Sequence, residues 1–360
     1  MHESRSVGAV EPSADVLDDG VPRERVEKTC GYQPSKGGMP AARVGGMGRR
    51  GGARIAFAML GSMVMSGCMS NVDADDASVE ESAQEVTTAR CSQTTARTTA
   101  LVKVMTVNLR HDSDQWERRF ELIADEIVRL DPDLIGLQEI EIADDQADRL
   151  NALIARRGHG PYQLYTKRKS GIGGFFSGEG IGVMSRWPIV EKHHEDTGER
   201  RVSIVARVKH PSGSLIDIAD THLDHRGGPE GDATRDDQAR QTVELIDRHD
   251  DCWPTVLTGD MNATEGAPAL RRFGAAVFVD SYRQVHGDET PTTGNTSTVV
   301  LAEGAFVQNP RKRIDFVLGR SAGARTVTPI ESIVCFKNHD AQGFYPSDHF
   351  GVMTTYEMKL

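Results

Sequence analysis

Cysteine is scarce in this chain, with 5 in 360 residues, and no CxxC pair or Cys/His spacing of a zinc site occurs. A zinc centre and a dense disulfide framework are both excluded on that ground. An excess of basic charge is also missing. The formal net charge is −11 at pH 7, which argues against a protein that coats nucleic acid non-specifically through a basic face. A phosphate-ester substrate stays open, because bound divalent cations invert the local potential where chemistry occurs. Aromatic residues make up only 6%, and no aromatic-rich apolar lip for a membrane surface is visible. No apolar run reaches the ~20 residues of a comfortable membrane-spanning helix. The glycine-rich stretch 169–180 carries no phosphate-binding motif. What is present, 38% hydrophobic and 26% charged residues, suits a soluble globular protein with an ample core.

The N-terminal quarter differs from the rest. Residues 1–46 are rich in Gly, Pro and charge with no apolar period, so no packed structure is expected there. A basic start (MGRRGGAR, 47–54) then leads into a short apolar run closing in Met65-Ser66-Gly67-Cys68. That order describes an export signal, and its Ser-Gly-Cys ending resembles a bacterial lipobox, in which the cysteine carries lipid and becomes the mature N-terminus. The expectation is an exported lipoprotein anchored to membrane through Cys68, with translation starting at Met39 or Met47. Residues 69–100 read as an acidic Ser/Thr/Ala tether. Of the cysteines left, Cys91, Cys252 and Cys335, an odd number allows one disulfide and one spare thiol. Cys252 and Cys335 lie in the globular part and could pair, though spacing alone does not show it. No protein partner is predicted.

From residue 101 onward, strands and helices alternate, and the strands end alike. VKVMTVNL (102–109) suits a strand with Asn108 near its end, where an amide inside an apolar run needs a reason. Trp116, Phe120, Ile123, Ile127 and Leu130 step by four and three residues, a helical stripe. LIGL (134–137) is a buried strand that runs into Gln138-Glu139, a carboxylate either structurally paired or a metal ligand. Residues 181–184 and 202–208 read as strands, and Arg201 ahead of the second is a candidate phosphate contact, with a solvated arginine the favoured reading. LIDIA (215–219) opens into Asp220-Thr221-His222-Leu223-Asp224-His225. A helix carrying Ala239, Val243 and Ile246 leads to LTGDMN (257–262), where Gly259 permits a turn and Asp260 and Asn262 both point into a site. Asp315 stands alone among apolar residues in RIDFVL (313–318). The chain closes through PSDHFG (346–351), where a His beside an Asp, with another Asp on a neighbouring strand, suits a base held in one tautomer. These observations define mixed α/β with polar groups at successive strand ends.

The strings VNL, LQE, THLDH, GDMN, RIDFV and PSDHFG, in this order, resemble the endonuclease/exonuclease/phosphatase superfamily with its DNase I-like fold, over about residues 102–356. The resemblance implies a four-layered α/β/β/α sandwich of two mixed β-sheets, and hydrolysis of a phosphate ester with Mg²⁺ or Mn²⁺. By that likeness Asn108 and Glu139 hold the metal and Asp348 lies near it. Asp260 orients or deprotonates the attacking water, Asn262 positions the phosphate, His222 stabilises charge on its oxygens, and Asp315 polarises His349. The likeness leaves the water's proton to either His349 or Asp260. One departure is Arg110, where abasic-site nucleases of the family have an acidic residue, so the metal site is expected to be simpler. Residues 292–308 read as a substrate loop. Nucleases, a tyrosyl-DNA phosphodiesterase with a similar PSDH ending, neutral sphingomyelinases and inositol-phosphate phosphatases share the family. A nuclease acting on extracellular DNA or RNA is the leading expectation, a phospholipid or inositol-phosphate esterase the alternative, and a catalytically silent binding module the reading from another class.

Overall fold

Alternation along single strands decides how the layers stack. In β1 (Thr99–Asn108), Val102 and Val104 point to one face while Met105 and Val107 point to the other, and each set sits in a different apolar cluster. Both faces of the strand are therefore covered. The computed structural model describes residues 91–92, 94–169, 178–287, 294–302 and 305–360, all within the unit Cys68–Leu360. The expected signal, lipobox and upstream segment lie outside the described residues.

After β1 come α1 (Trp116–Leu130), β2 (Leu134–Glu141), α2 (Gln146–Arg156), β3 (Gln163–Arg168), β4 (Glu179–Ser185), β5 (Ile189–Gly198), β6 (Arg201–Lys209) and β7 (Leu215–His222). Then follow α3 (Gly228–Arg248), β8 (Thr255–Asp260), α4 (Pro268–Ala275), β9 (Val279–Asp280), α5 (Ser281–His286) and a hairpin of β10 (Ser297–Ala302) with β11 (Ala305–Lys312). The chain closes with β12 (Asp315–Arg320), β13 (Val327–Cys335) and β14 (Gly351–Lys359). One six-stranded sheet runs β13-β14-β1-β2-β4-β3 and the other β5-β6-β7-β8-β12-β9. Each contains one parallel pair, β1 with β2 and β7 with β8, among antiparallel ones. Both sheets are mixed.

The layers follow from the three large clusters. Phe120, Ile123 and Ile127 of α1 and Leu150 of α2 cover Met105, Val107, Ile135 and Leu137 on the outer face of the first sheet. Ala239 and Ile246 of α3 and Phe273 of α4 cover Val205, Ala219, Leu257 and Phe316 on the second. Val102, Val104, Val183, Ile204, Ile218, Val256 and Val317 fill the space between the sheets. At roughly 1.5–3 kcal/mol per buried aliphatic side chain, that inner layer is ample to hold the sandwich. Toward one end it turns polar, since Val102 and Val104 are succeeded on the same face by Thr106 and Asn108. Among the described residues, no helix is long and apolar enough to cross a membrane.

Two readings of the sequence are corrected here. Cys91, not Cys335, is the partner of Cys252. Cys335 ends β13 and is buried in the cluster beneath α1, as a free thiol, whereas Cys252 lies just ahead of β8 in the other sheet. The tether expected over 69–100 also ends earlier than residue 100. Arg97 and Thr98 donate backbone N–H groups to the carbonyl of Leu360 at 2.6 and 3.1 Å, and β1 begins at Thr99. An acidic Ser/Thr composition carried no sign of either anchor.

Candidate active site

Registered strand ends assemble the site. Asn108 faces Gln138 across β1–β2, His222 faces Asp260 across β7–β8, and Asp260 faces Asp315 across β8–β12. Because residues two apart share a face, the inner rows Val256-Thr258-Asp260 and Ile218-Asp220-His222 carry their polar members to the same end. Gly136 on β2 lets the two sheets approach there, since a Cβ would collide with Thr258 Oγ1 and Asp220 Oδ1. Gly259 has a different role from the one expected. It lies inside β8 without a positive φ, and a Cβ would strike the backbone of Thr221. The turn comes at Asn262, whose φ is 46°. Glu139 is also left-handed, at φ 52°, where the pairing of β2 with β4 slips register. A non-glycine residue held in that region stores strain.

Asn108 is fully buried and links the carboxylates. Its amide nitrogen donates to Glu139 Oε1 and to Asp260 Oδ2, both at 3.1 Å, while its oxygen accepts from the Arg110 N–H at 2.9 Å. The backbone N–H of Asn262 donates to Asp260 Oδ1 at 2.9 Å, and the Asn262 amide donates to the carbonyl of Leu223. His222 Nε2 lies 3.5 Å from Asp260 and 3.9 Å from Glu139. His349 Nδ1 sits 2.9 Å from Asp315 Oδ2, and its Nε2 faces Asp260 at 3.8 Å. Glu139, His222 and Asp260 offer ligand atoms within 4.8 Å of one another, as do Asp260, Asp315 and His349.

Burial and neighbouring charge set the protonation states. Burial pushes the Asp260 carboxyl up to about 7, with Asp315 and Glu139 adding to it and His349 opposing. The His222 imidazole is held well below the usual range by burial and then by Arg201 and Lys169. Burial also works against a charged His349, but Asp315 and Asp260 outweigh it and raise its pKa well above normal. The site thus holds a neutral histidine, a cationic one, and a carboxyl poised near neutrality.

Asp348 stands apart from the carboxylate cluster. It pairs with Arg110, which also pairs with Asp114, so its charge is taken up by the residue that departs from the family pattern. The buttress behind Asp315 and His349 is Thr296. Its hydroxyl accepts from the N–H groups of Ile314 and Asp315, its carbonyl accepts from Phe350 N–H, and Ser297 bridges His349. The expected loop over 292–308 is in part this hairpin; residues 292–293 and 303–304 lie outside the described residues, as do residues 170–177 of the glycine-rich stretch.

A cleft of about 390 Å³ opens over the cluster, lined by Glu139, His222, Asp260, Asn262 and His349 among others. Lys169 and Arg201 line it too; the sequence offered Arg201 only as the less favoured of two readings and did not point to Lys169. Arg201 was expected in solvent and is 6% exposed; Lys169 is 9% exposed and pairs with Glu179. A charged residue at the head of the uninterrupted run Val202-Ser203-Ile204-Val205 was the available signal, because a buried strand rarely starts on a solvated cation.

A sandwich with histidines and carboxylates converging at one end defines a hydrolytic α/β architecture with a site suited to phosphoryl chemistry. The chain belongs to the Endonuclease/Exonuclease/phosphatase family, whose sequence profile matches residues 105–349, a family of phosphoesterases. No curated protein matches the chain by sequence. Among solved structures, a family member from Bacteroides thetaiotaomicron has a TM-score of 0.59 at 21% identity, over 73% of this chain and 100% of that one. D. rerio TDP2 complexed with a single-strand DNA product gives 0.56 at 20% identity, over 71% and 99%. A mannosyl-6-phosphatase from B. thetaiotaomicron gives 0.57 at 21%, over 71% and 99%. At these identities the likeness shows the fold alone, and that fold is the DNase I-like α/β sandwich.

Proposed function

We propose that this protein is a divalent-metal-dependent phosphodiesterase that cleaves nucleic acid outside the cytoplasm. The observation that carries the reading is the convergence of Glu139, His222, Asp260 and the Asp315–His349 pair in one cleft. The donor set fits Mg²⁺ or Mn²⁺. Glu139 and Asp260 are carboxylates held 3.1 Å from one amide, and their mutual repulsion, which helps push Asp260 up, is what a hard cation relieves. Glu139 and Asp260 would hold the ion, with His222 beside them. When bound, it supplies Lewis-acid stabilisation of charge on the phosphoryl oxygens.

The chain's own groups supply the rest. Asp260, which lies between His222 and His349, takes the proton of the attacking water; the water oxygen bonds to phosphorus as the bond to the leaving alcohol breaks. His349, cationic beside Asp315, stabilises the negative charge that builds on the phosphoryl group and supplies a proton to the departing oxygen. Asn262 lines the cleft and offers a neutral donor. Nucleic acid as substrate is supported by the similarity to a structure holding a DNA product. Export is supported by the Cys91–Cys252 disulfide, since such bonds persist in oxidising compartments, and the lipid anchor would sit at Cys68.

The test is the purified full chain with Mg²⁺ or Mn²⁺, offered single-stranded DNA, RNA, sphingomyelin, an inositol phosphate and mannose 6-phosphate. Cleavage of DNA or RNA that EDTA and His349→Ala both abolish is the expected result. Turnover of only the lipid or sugar phosphates moves the substrate class, and no turnover of any leaves a binding module. Incorporation of labelled palmitate that Cys68→Ser removes tests the anchor.

A further inference from the structure

Besides its carboxylates, which include Glu179, Glu199 and Asp224, the cleft lining carries two buried cations, Lys169 and Arg201, that hydrolysis at a single phosphate does not use. Lys169 directly follows β3 and Arg201 opens β6, so two separate parts of the fold bring both to the cleft. Their burial, 9% and 6% exposed, carries a desolvation cost that surface cations avoid. They also repel each other: after burial itself, Arg201 is the largest influence lowering the Lys169 pKa. Both line the same cleft as His222, Asp260 and His349. Arg201 donates to His225 Nδ1 at 3.2 Å. His225 lines the same cleft.

Lys169 is paired with Glu179 and Arg201 lies near Asp224, yet both cations line the cleft, where an entering phosphate can be shared between them. A guanidinium matches a phosphate through two parallel hydrogen bonds, and an ammonium adds a point charge. We infer that Lys169 and Arg201 form a second phosphate subsite, which grips the phosphate next to the scissile one along a nucleic-acid strand. The inference rests on the phosphodiesterase reading and narrows it to substrates with at least two phosphates.

The first experiment compares kcat/KM of the full chain with Mn²⁺ on three dinucleotides: TpT, with a single internal phosphate, and pTpT and TpTp, with a second phosphate on the 5′ or 3′ side. The wild type is expected to prefer one phosphorylated dinucleotide over TpT by about tenfold or more, the usual scale of a charge-assisted bidentate contact. Which one it prefers gives the strand direction. In Arg201→Met and Lys169→Gln that ratio is expected to fall below about threefold, and Arg201→Lys to fall between. A wild-type ratio near one, or a ratio undiminished in both variants, overturns the inference.

The second experiment needs no turnover. Pyrophosphate is titrated calorimetrically into the metal-free full chain in EDTA, with circular dichroism confirming that each variant is folded. The wild type is expected to bind, and each folded variant to bind about tenfold or more weakly. No wild-type binding, or equal binding in the variants, also overturns the subsite. Failure of the phosphodiesterase reading looks different: no dinucleotide is cleaved by the wild type, while pyrophosphate binding still reports on Lys169 and Arg201.

Discussion

Replacing Arg119 with methionine should loosen the site without touching any residue in it. Arg119 is fully buried on α1, and its guanidinium donates to backbone carbonyls of Leu109 at 2.6 Å, Pro346 at 3.1 Å, Arg110 at 3.1 Å, His111 at 3.0 Å and Ser113 at 2.8 Å. Those carbonyls belong to the loop after Asn108 and the loop before His349, so one side chain ties the two together. Burial lowers its pKa to about 10, partly countered by Asp348, and it stays charged at neutral pH. Methionine fills much of the volume but donates nothing. The bonds to Leu109 and Pro346 are buried, and each orphaned carbonyl costs about 1–3 kcal/mol; the other three are partly buried and water can replace the donor. Removing a buried charge returns some desolvation energy. The net loss worked from these contributions is about 2–4 kcal/mol, or roughly 5–15 °C in Tm for a domain of this size. Thermal and urea unfolding measure it. Because Asn108 and His349 flank the released loops, kcat should fall at least about tenfold at temperatures where the variant is folded. A variant as stable and as active as the wild type would refute the clamp.

Three further outcomes follow from the same geometry. Asp315→Asn removes the carboxylate 2.9 Å from His349 Nδ1, so His349 should lose much of its charge at neutral pH and kcat should drop by about a hundredfold or more with KM less affected; steady-state kinetics with Mn²⁺ reads this, and unchanged kcat refutes it. In the metal-free protein the Asp260 carboxyl sits at about 7, so a cation must displace a proton below that pH. Mn²⁺ affinity should weaken about tenfold per pH unit from pH 7 downward and level off above it, which calorimetry at pH 6, 7 and 8 checks; a flat profile from pH 6 to 8 refutes it. Reducing the Cys91–Cys252 bond, which closes a sequence separation of 161, should cost at most about 5 kcal/mol by loop entropy and typically 2–4. Urea unfolding with and without dithiothreitol measures it, and coincident curves would contradict the assigned bond.

Much of this site is legible in the sequence because it obeys strand periodicity. Asn108 shares a face with Val102 and Val104, and Asp260 with Val256, so a polar residue closing an apolar row marks the end of the sandwich. The family strings then put those rows in order, and the fold they imply is the one observed. What escapes is what periodicity does not encode. Glu139 reaches the cleft through a left-handed residue at a register slip, Gly259 serves close packing rather than a turn, and Cys252 finds Cys91 across 161 positions. Arg201 misleads for a related reason. An arginine at a strand's first residue looks solvated in one dimension, and only the folded cleft, where it meets His225, encloses it. Asp348 shows a further limit, because Arg110, which reads in the sequence as a simplification of the metal site, is the group that takes up the Asp348 charge.

On the proposed reading, the mixed charge of the cleft also accounts for how an acidic protein would handle a polyanion. Overall charge works against the approach of nucleic acid, and in the metal-free state Glu139, Asp260 and Asp315 would repel a phosphate at the point of attack. The protein answers locally rather than globally. Asp260 gives up its charge readily, His349 keeps one, and Lys169 and Arg201 hold theirs out of solvent, where screening by salt is weak. An exposed basic face would attract any nucleic acid and lose its grip steeply as ionic strength rises. Buried cations inside the cleft act only on a strand already threaded between the sheets' ends. Their effect should therefore appear as selectivity among bound substrates, with a shallow salt dependence, and not as general affinity for polyanions.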